Sequence, residues 1–396
     1  MHDTTDILIS GGGVAGLTAA AAFGACGHRV TLVDPTPPIT DGDAVGADLR
    51  STAFLQPARA LLEEAGLWDR LAPFASALHT MRIVDASNPA REPVVRDFES
   101  SDLGDAPFGW NLPNWLLRRE MVARLADLPN VDFRPGTATA RVQTRTHEAR
   151  VTLSDGTRIT TPFVIAADGR NSPVREQAGI SVRTSRYGQK ALAFAVTHPM
   201  PHDNVSTEVH RSGGPFTLVP LPDRDGQPRS AIVWMDDGPE SLRRMNLAPD
   251  AFEAELNDRS AGVMGRLKLA SRLTIWPIIS QIAKRFDAER TALMAEAAHV
   301  VPPIGAQGLN MSLADIRALL DLSTTHEMGS AAMLEAYHRA RYKDVATRVA
   351  GITTLNRTSQ AGQPMVQALR ARGMQMLHDV TPMRRAMMEL GLGARG

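Results

Sequence analysis

The chain opens on a short apolar run, Ile7-Leu8-Ile9, meets a glycine cluster at 11–13, and passes into an alanine-rich stretch of helical character that stops at Gly27. A second apolar run, Val30-Thr31-Leu32-Val33, follows, so residues 6–34 predict a β-α-β unit and a parallel sheet at the N-terminus. Later segments alternate differently. Val142 to Ile159 reads as hairpin strands around Ser154-Asp155-Gly156, and a buried strand, Phe163-Val164-Ile165-Ala166, comes next. Between 213 and 228, Gly213-Gly214-Pro215 and Pro220-Leu221-Pro222 bracket the apolar run Phe216-Thr217-Leu218-Val219. Residues 183–271 therefore predict a second, mainly antiparallel layer. Helical spacing returns after Asn310 and again near the C-terminus, where Met365, Leu369, Met374, Leu377, Met383, Met387 and Leu390 recur.

The pattern predicts an α/β protein in which a Rossmann-type nucleotide-binding domain is interleaved with a mainly antiparallel-sheet substrate domain and followed by a helical C-terminus. The expected boundaries are 1–72, 105–182 and 272–345 for the first, 73–104 and 183–271 for the second, and 346–396 for the last. A length of 396 residues suits about two domains. Basic and acidic residues balance at 43 each, which argues against a nucleic-acid partner. The single Cys26 excludes an internal disulfide or a cysteine-based metal cluster, and its expected role is a small buried hydrophobe in a helix. No metal site is expected. The N-terminus has no secretory pattern, and no run reaches the roughly 18 apolar residues of a membrane span, so a cytoplasmic location is expected.

Three segments carry the candidate chemistry. The first is Gly11-Gly12-Gly13-Val14-Ala15-Gly16, between the opening strand and its helix, with Asp34 at the end of the next strand. Its glycines permit a tight turn and close approach of a pyrophosphate, the helix N-terminus favours negative charge, and Asp34 can accept from a ribose. This segment alone does not separate FAD from NAD. The second, Ala166 to Arg175, is an acidic turn after a buried strand, and on its own it also fits a simple turn capped by Asp168 or Ser172. The third runs from Arg290 through Ala298-His299 and Pro302-Pro303-Ile304-Gly305-Ala306-Gln307-Gly308-Leu309-Asn310 into a helix that includes Asp315. A glycine loop feeding a helix aims unpaired N–H groups at one spot, where a reduced flavin's negative charge would be stabilised. His299, beside two alanines at a strand end, reads as a packed, hydrogen-bonded histidine more readily than as a general base. Trp110, Trp234 and Met235 read as ordinary core more readily than as pocket lining.

In order and spacing these segments resemble the single-component FAD-dependent aromatic hydroxylases, the para-hydroxybenzoate hydroxylase fold, and most of all its ubiquinone-biosynthesis branch. Further matches are Asp48-Leu49-Arg50-Ser51-Thr52-Ala53, Gly66-Leu67-Trp68, Tyr187-Gly188-Gln189, Trp276-Pro277, and Tyr337 with Arg341. The resemblance implies that Gly11, Gly13, Val14, Ala15, Gly16 and Asp34 hold the ADP half of FAD. It assigns Asp168, Gly305, Gly308, Leu309 and Asn310 to the rest of the cofactor, and Arg118, one position from Arg119, to its phosphate-ribose region. It places Arg50 near the flavin and the backbone of Pro303 near the substrate oxygen, as candidate catalytic residues. The family's Gly-Asp before Ala-Ala-His is Ala295-Glu296 here; Glu296 keeps an acceptor for a ribityl hydroxyl, while a Cβ at 295 bears on cofactor affinity.

The resemblance further implies hydroxylation of an aromatic ring through a flavin hydroperoxide, with NADH or NADPH as a transient co-substrate and O2 as oxidant. The substrate would be a phenol or quinol intermediate of ubiquinone biosynthesis, prenylated or not, held in a dry pocket walled by residues 302–304 and 216–221. The methionine-rich tail would then be either a helix closing the fold or a contact with the inner face of the membrane or a quinone-synthesis complex. A flavin reductase of the same fold and a flavin-binding scaffold subunit are the alternative functions.

Overall fold

In the computed structural model, residues 2–87, 92–211 and 213–360 are described, together with 385, 388 and 389. A six-stranded sheet runs in the order Asp287–Ala288, Thr291–Leu293, Phe163–Ala166, Ile7–Ser10, Val30–Asp34, Val131–Pro135. Every pairing is parallel except the hairpin of its first two strands. Its central strands are buried on both faces, which is why they read as unbroken apolar runs. The helix Val14–Ala25 crosses between Ile7–Ser10 and Val30–Asp34, giving the expected β-α-β unit. It ends where Gly27 takes a left-handed φ of 87°, so that the N–H groups of Gly27 and His28 reach back to the carbonyls of Gly24 and Phe23. Cys26 occupies the C-cap of that helix and is exposed, which corrects the expectation of a buried side chain.

A nine-stranded, mainly antiparallel sheet forms the second layer, with the long strand Val182–Thr197 between Gln227–Asp237 and Thr274–Ala283. The hairpin Thr80–Asp85 and Val94–Glu99 extends its far edge, so the segments 73–104 and 183–271 do meet in one sheet. The strand Thr274–Ala283 also belongs to it, and so does His299–Val300. The strand predicted between two proline clusters is longer than expected, running Pro215–Arg224 straight through Pro220 and Pro222. Its neighbour Val205–His210 pairs only with residues 215–218, so the two prolines fall beyond the end of that partner and no ladder N–H is missed there. Smaller sheets of four strands and three strands complete the described structure.

The helix expected after Asn310 begins earlier, at Gln307, and runs to Ser323. The helix Ala331–Gln360 continues through position 346 without a break. The methionine and leucine positions singled out beyond 362 lie outside the described residues; Met388, which is described, is buried with Phe98 and Phe108. No helix of the described residues is long and apolar enough to cross a membrane.

Asp315, fully buried on the helix Gln307–Ser323, fastens three elements to one another. Its Oδ2 accepts from the Ala295 amide at 3.1 Å and from His299 Nε2 at 2.7 Å, and its Oδ1 accepts from Arg341 Nε at 2.8 Å. Burial alone would raise this carboxyl, but His299 and Arg341 outweigh it and hold the group below its ordinary 3.8. His299 is thus the packed, hydrogen-bonded histidine that the sequence favoured. We predict that Asp315→Ala lowers unfolding free energy by about 3–5 kcal/mol, the cost of stranding a buried partner charge, measured by urea denaturation. Because the folded value is depressed, this stabilisation is present in full above pH 3.8 and is lost as pH falls through the lower folded value. The pH dependence below 3.8 should therefore flatten in Asp315→Ala.

Candidate functional site

The first two segments meet at the C-terminal ends of the parallel strands, around a cleft of about 310 Å³. Gly11, Gly13, Asp34, Thr139, Asp168 and Gly169 are among the residues that line it. Gly11 and Gly16 are glycines for internal reasons. A Cβ on Gly11 would sit 2.3 Å from the Ala167 carbonyl oxygen, and one on Gly16 would sit 1.8 Å from that of Gly11. Gly13 differs, since a Cβ there would meet no protein atom within 4 Å, and its φ of −68° suits any residue. What its missing side chain leaves open is the cleft. The helix behind it, beginning Val14-Ala15-Gly16, has no side-chain cap, so its first N–H groups are free to face an anion.

Asp34 closes the loop from the far side. Its Oδ2 accepts from the Gly12 amide at 2.6 Å and its Oδ1 from the Thr36 amide at 2.8 Å. Asp168 caps the short helix Pro173–Gln177 through the Val174 amide at 3.2 Å, and Ser172 caps it through Arg175 at 3.0 Å, so the turn is built as its sequence suggested. Yet among the described residues Asp168 Oδ1 and Thr139 Oγ1 are buried without a hydrogen-bond partner in good geometry, and both residues line the cleft. Burial pushes the Asp168 carboxyl above its ordinary value. Orphaned polar atoms of this kind require a partner, and a polyhydroxylated, hydrogen-bonding group laid along the cleft supplies one. The residues present fit a dinucleotide.

The third segment is laced to the second by Arg175, which the sequence reading quoted but gave no role. The residue is 4% exposed, and its guanidinium donates to the carbonyls of Ala297 at 2.9 Å and Arg170 at 3.0 Å. Asn310 ties the same segment to the strand Ser51–Leu55, accepting from the Leu55 amide at 2.9 Å and donating to the Ala53 and Ala306 carbonyls. Its side chain is spent on the protein, so it acts as a positioning residue. Gly305 and Ala306 both take left-handed φ values, 63° and 56°, which turn the loop into the helix; Gly308, Leu309 and Asn310 thus form its first turn. Leu309 packs on the core, whereas a Cβ on Gly308 would meet nothing. Ala306 offers no side-chain cap, leaving first-turn N–H groups to face a ligand.

Arg50 is held by Asp48, with Nε on Oδ1 at 2.7 Å and an Nη on Oδ2 at 2.6 Å, and lies over the Trp276 ring at 5.5 Å. Asp48 also accepts from Asn114 at 3.0 Å and lies 3.6 Å from Arg118. Arg119 instead pairs with Glu120 and stacks on Phe74 and Trp115, which places Arg118 at the cluster. Burial would raise Asp48, but Arg50, Asn114 and Arg118 outweigh it and hold the carboxyl below the usual range. Glu296 is half-exposed and 4.0 Å from Arg170. Pro303 is exposed at the tip of a tight turn closed by the Ile304 amide on the Pro302 carbonyl, and Ile304 packs with Met235, Trp276 and Ile278. Met235 is buried in that cluster, in keeping with the core reading. Phe216 and Leu218 lie in a separate core with Trp234, Phe252 and Leu256, on the opposite face of the sheet from Ile304. This corrects the expectation that these two side chains share a wall with residues 302–304 and leaves Trp234 as the core residue it was read to be.

The FAD binding domain family matches residues 4–351, the stretch that contains all three segments. This chain belongs to that family. It is 29% identical over 393 residues to the ubiquinone hydroxylase UbiL of Rhodospirillum rubrum, covering 98% of this chain and 89% of the relative. It is 25% identical over 402 residues to the 3-demethoxyubiquinol 3-hydroxylase of Escherichia coli, covering 99% of each. Its fold is similar to that of p-nitrophenol 4-monooxygenase from Pseudomonas putida, with a TM-score of 0.79, 20% identity and full coverage of both chains. The expected α/β FAD-binding fold and cofactor are those of the family.

Ala295 has a φ of 54°, a left-handed value that costs an alanine about 1–2 kcal/mol. Allowing for glycine's larger unfolded-state entropy, Ala295→Gly should stabilise the protein by about 0.5–1 kcal/mol, read by urea denaturation. Gly13→Ala should leave the melting temperature of the apoprotein unchanged while weakening FAD binding at least tenfold, or about 1.4 kcal/mol, by fluorescence titration. Gly11→Ala, by contrast, should prevent folding.

Proposed function

We propose that this protein is a FAD-dependent monooxygenase that hydroxylates the aromatic ring of a ubiquinone precursor with NADH or NADPH and O2. One observation carries the reading: the 302–310 segment serves two chemistries at once. Ile304 joins the apolar cluster of Ala191, Met235, Trp276 and Ile278 on the large sheet, while two residues later Ala306 begins the uncapped helix start. An oil-lined surface and an anion-stabilising helix terminus are therefore set side by side. The names of the relatives in Rhodospirillum rubrum and Escherichia coli support a quinone-type substrate.

FAD, when bound and reduced by NAD(P)H, would supply two of the four electrons that split O2, the ring supplying the other two as one oxygen atom enters it and the other leaves as water. The chain's part is to bind, orient and keep dry. The cluster around Met235 and Trp276 excludes water from the ring, and the turn at Pro303 closes over it, presenting backbone rather than a titratable side chain. Arg50, over Trp276 and fixed by Asp48, sets a cation at the rim of the apolar surface, beside the flavin. Glu296 and Asp168 offer acceptors to hydroxyls of the cofactor chain. The protein is proposed to act in the cytoplasm and to draw prenylated substrate from the inner face of the membrane through residues beyond 360.

The purified holoprotein should show NAD(P)H oxidation and O2 uptake stimulated by a phenolic quinone precursor, with a product one oxygen atom heavier by mass spectrometry. Turnover that persists without O2 would instead identify a reductase. Pro303→Ala should raise the fraction of O2 released as hydrogen peroxide; unchanged coupling removes the assigned role. Deletion of residues 362–396 should abolish sedimentation with lipid vesicles, and unaltered sedimentation removes the membrane contact.

A further inference from the structure

A cavity of about 490 Å³ lies away from the flavin site, where the large sheet meets the helix Pro249–Arg259. Successive residues of the strand Gln227–Asp237 point to opposite faces. Met235 packs with Ile304, whereas Trp234 lines this cavity together with Arg244, Ala254, Glu255, Asp258 and Arg259. Most charges here are paired. Arg244 lies 2.7 Å from Asp236 and 2.9 Å from Glu255, and Arg211 lies 3.0 Å from Asp258.

Arg259 is the exception. It is 7% exposed, stacks over Phe216 at 5.4 Å, and donates one Nη2 bond, to the Gly214 carbonyl at 2.6 Å. Among the described residues it forms no salt bridge, and its Nη1 is buried without a partner. Trp234, 2% exposed, likewise has a buried indole N–H with no acceptor. Burial is the main cause that lowers the Arg259 guanidinium to about 10. Asp236 and Asp258 act on this guanidinium only from beyond salt-bridge distance, and a buried guanidinium without a contacting carboxylate and a neighbouring orphan donor are both costly unless something accepts from them.

We propose that this cavity binds a small organic monocarboxylate, with Arg259 as its ion partner and the Trp234 indole N–H as a second donor. A carboxylate matches the planar fork of a guanidinium. Glu255 and Asp258 on the same wall oppose a dianion such as phosphate, and the apolar lining from Ala254 and Trp234 suits the hydrocarbon part of the ligand. The site is independent of the proposed hydroxylase reaction, because it lies on the reverse face of the sheet.

The test is calorimetric titration of the FAD-loaded protein with benzoate, and with benzamide as its uncharged counterpart. Saturable benzoate binding is expected with no change in the flavin absorption spectrum, and benzamide should bind at least tenfold more weakly. Arg259→Gln should weaken benzoate at least tenfold and Trp234→Phe severalfold. Should Arg259→Gln fail to fold, Arg259→Lys, which keeps the charge without the fork, should still weaken binding. Absence of binding, equal binding of benzamide, or benzoate binding that these variants leave unaltered would overturn the proposal.

Discussion

The site depends on a buried carboxylate being kept charged. Asp315 has no access to water, so its ionisation rests on three donors that come from a 3-10 turn, a short strand and a distant helix. Each donor fixes part of the 295–310 segment or its backing. The Ala295 amide sets where the turn before Glu296 begins, His299 sets the strand that leads into Pro302 and Pro303, and Arg341 fastens the carboxy-terminal helix behind them. A half-satisfied buried network is worse than an apolar one, which makes the assembly all-or-none: the loop has one conformation or the core comes apart. The mobile-looking sequence Val300 to Gly308 is therefore anchored at its base on one side by His299 and at its far end by Asn310.

A second constraint is geometric. A β-strand shows its side chains alternately to two faces, and the strand Gln227–Asp237 uses both. On one side Val233 and Met235 meet the Pro303 loop and Trp276; on the other Ile232 and Trp234 meet the helix Pro249–Arg259. The large sheet is thus the partition between the apolar cluster that receives Ile304 and a second core on its other face. This is why Phe216 and Leu218, though apolar and beside prolines, do not meet Ile304.

Much of the nucleotide half was legible in the sequence because local pattern and tertiary role coincide there. The apolar runs are buried strands, Gly11 and Gly16 answer to close backbone approaches, and Gly27 stops the helix by taking a left-handed conformation. Legibility failed where a role depends on partners remote in sequence. Arg175 is recognisable only from the Ala297 carbonyl 122 residues away, and Asp48 only from Arg118 across the fold. The early start of the helix at Gln307 was hidden because Gly305 and Gly308 both read as loop, although glycine in a first turn loses no internal hydrogen bond. Composition could not say that Cys26 falls at a C-cap, where the chain leaves the core. Nor does hydrophobicity alone tell which face of a strand is which.

The replacement of the family's Gly-Asp by Ala295-Glu296 is best understood against these anchors. A Cβ at a left-handed residue ordinarily drives the backbone toward another conformation. Here the Ala295 amide is already committed to a carboxylate with no alternative donor in its place, so the strain is absorbed as lost stability while the turn keeps its shape. The longer Glu296 side chain then extends toward solvent, 4.0 Å from Arg170, instead of being held close to the turn. With Arg50 and Arg118 sharing Asp48, and Glu296 set against Arg170, the three cations of these pairs outnumber their two carboxylates by one. That surplus carries the same sign as the uncapped helix start at Gln307, so the electrostatics of both favour an anion over a cation nearby.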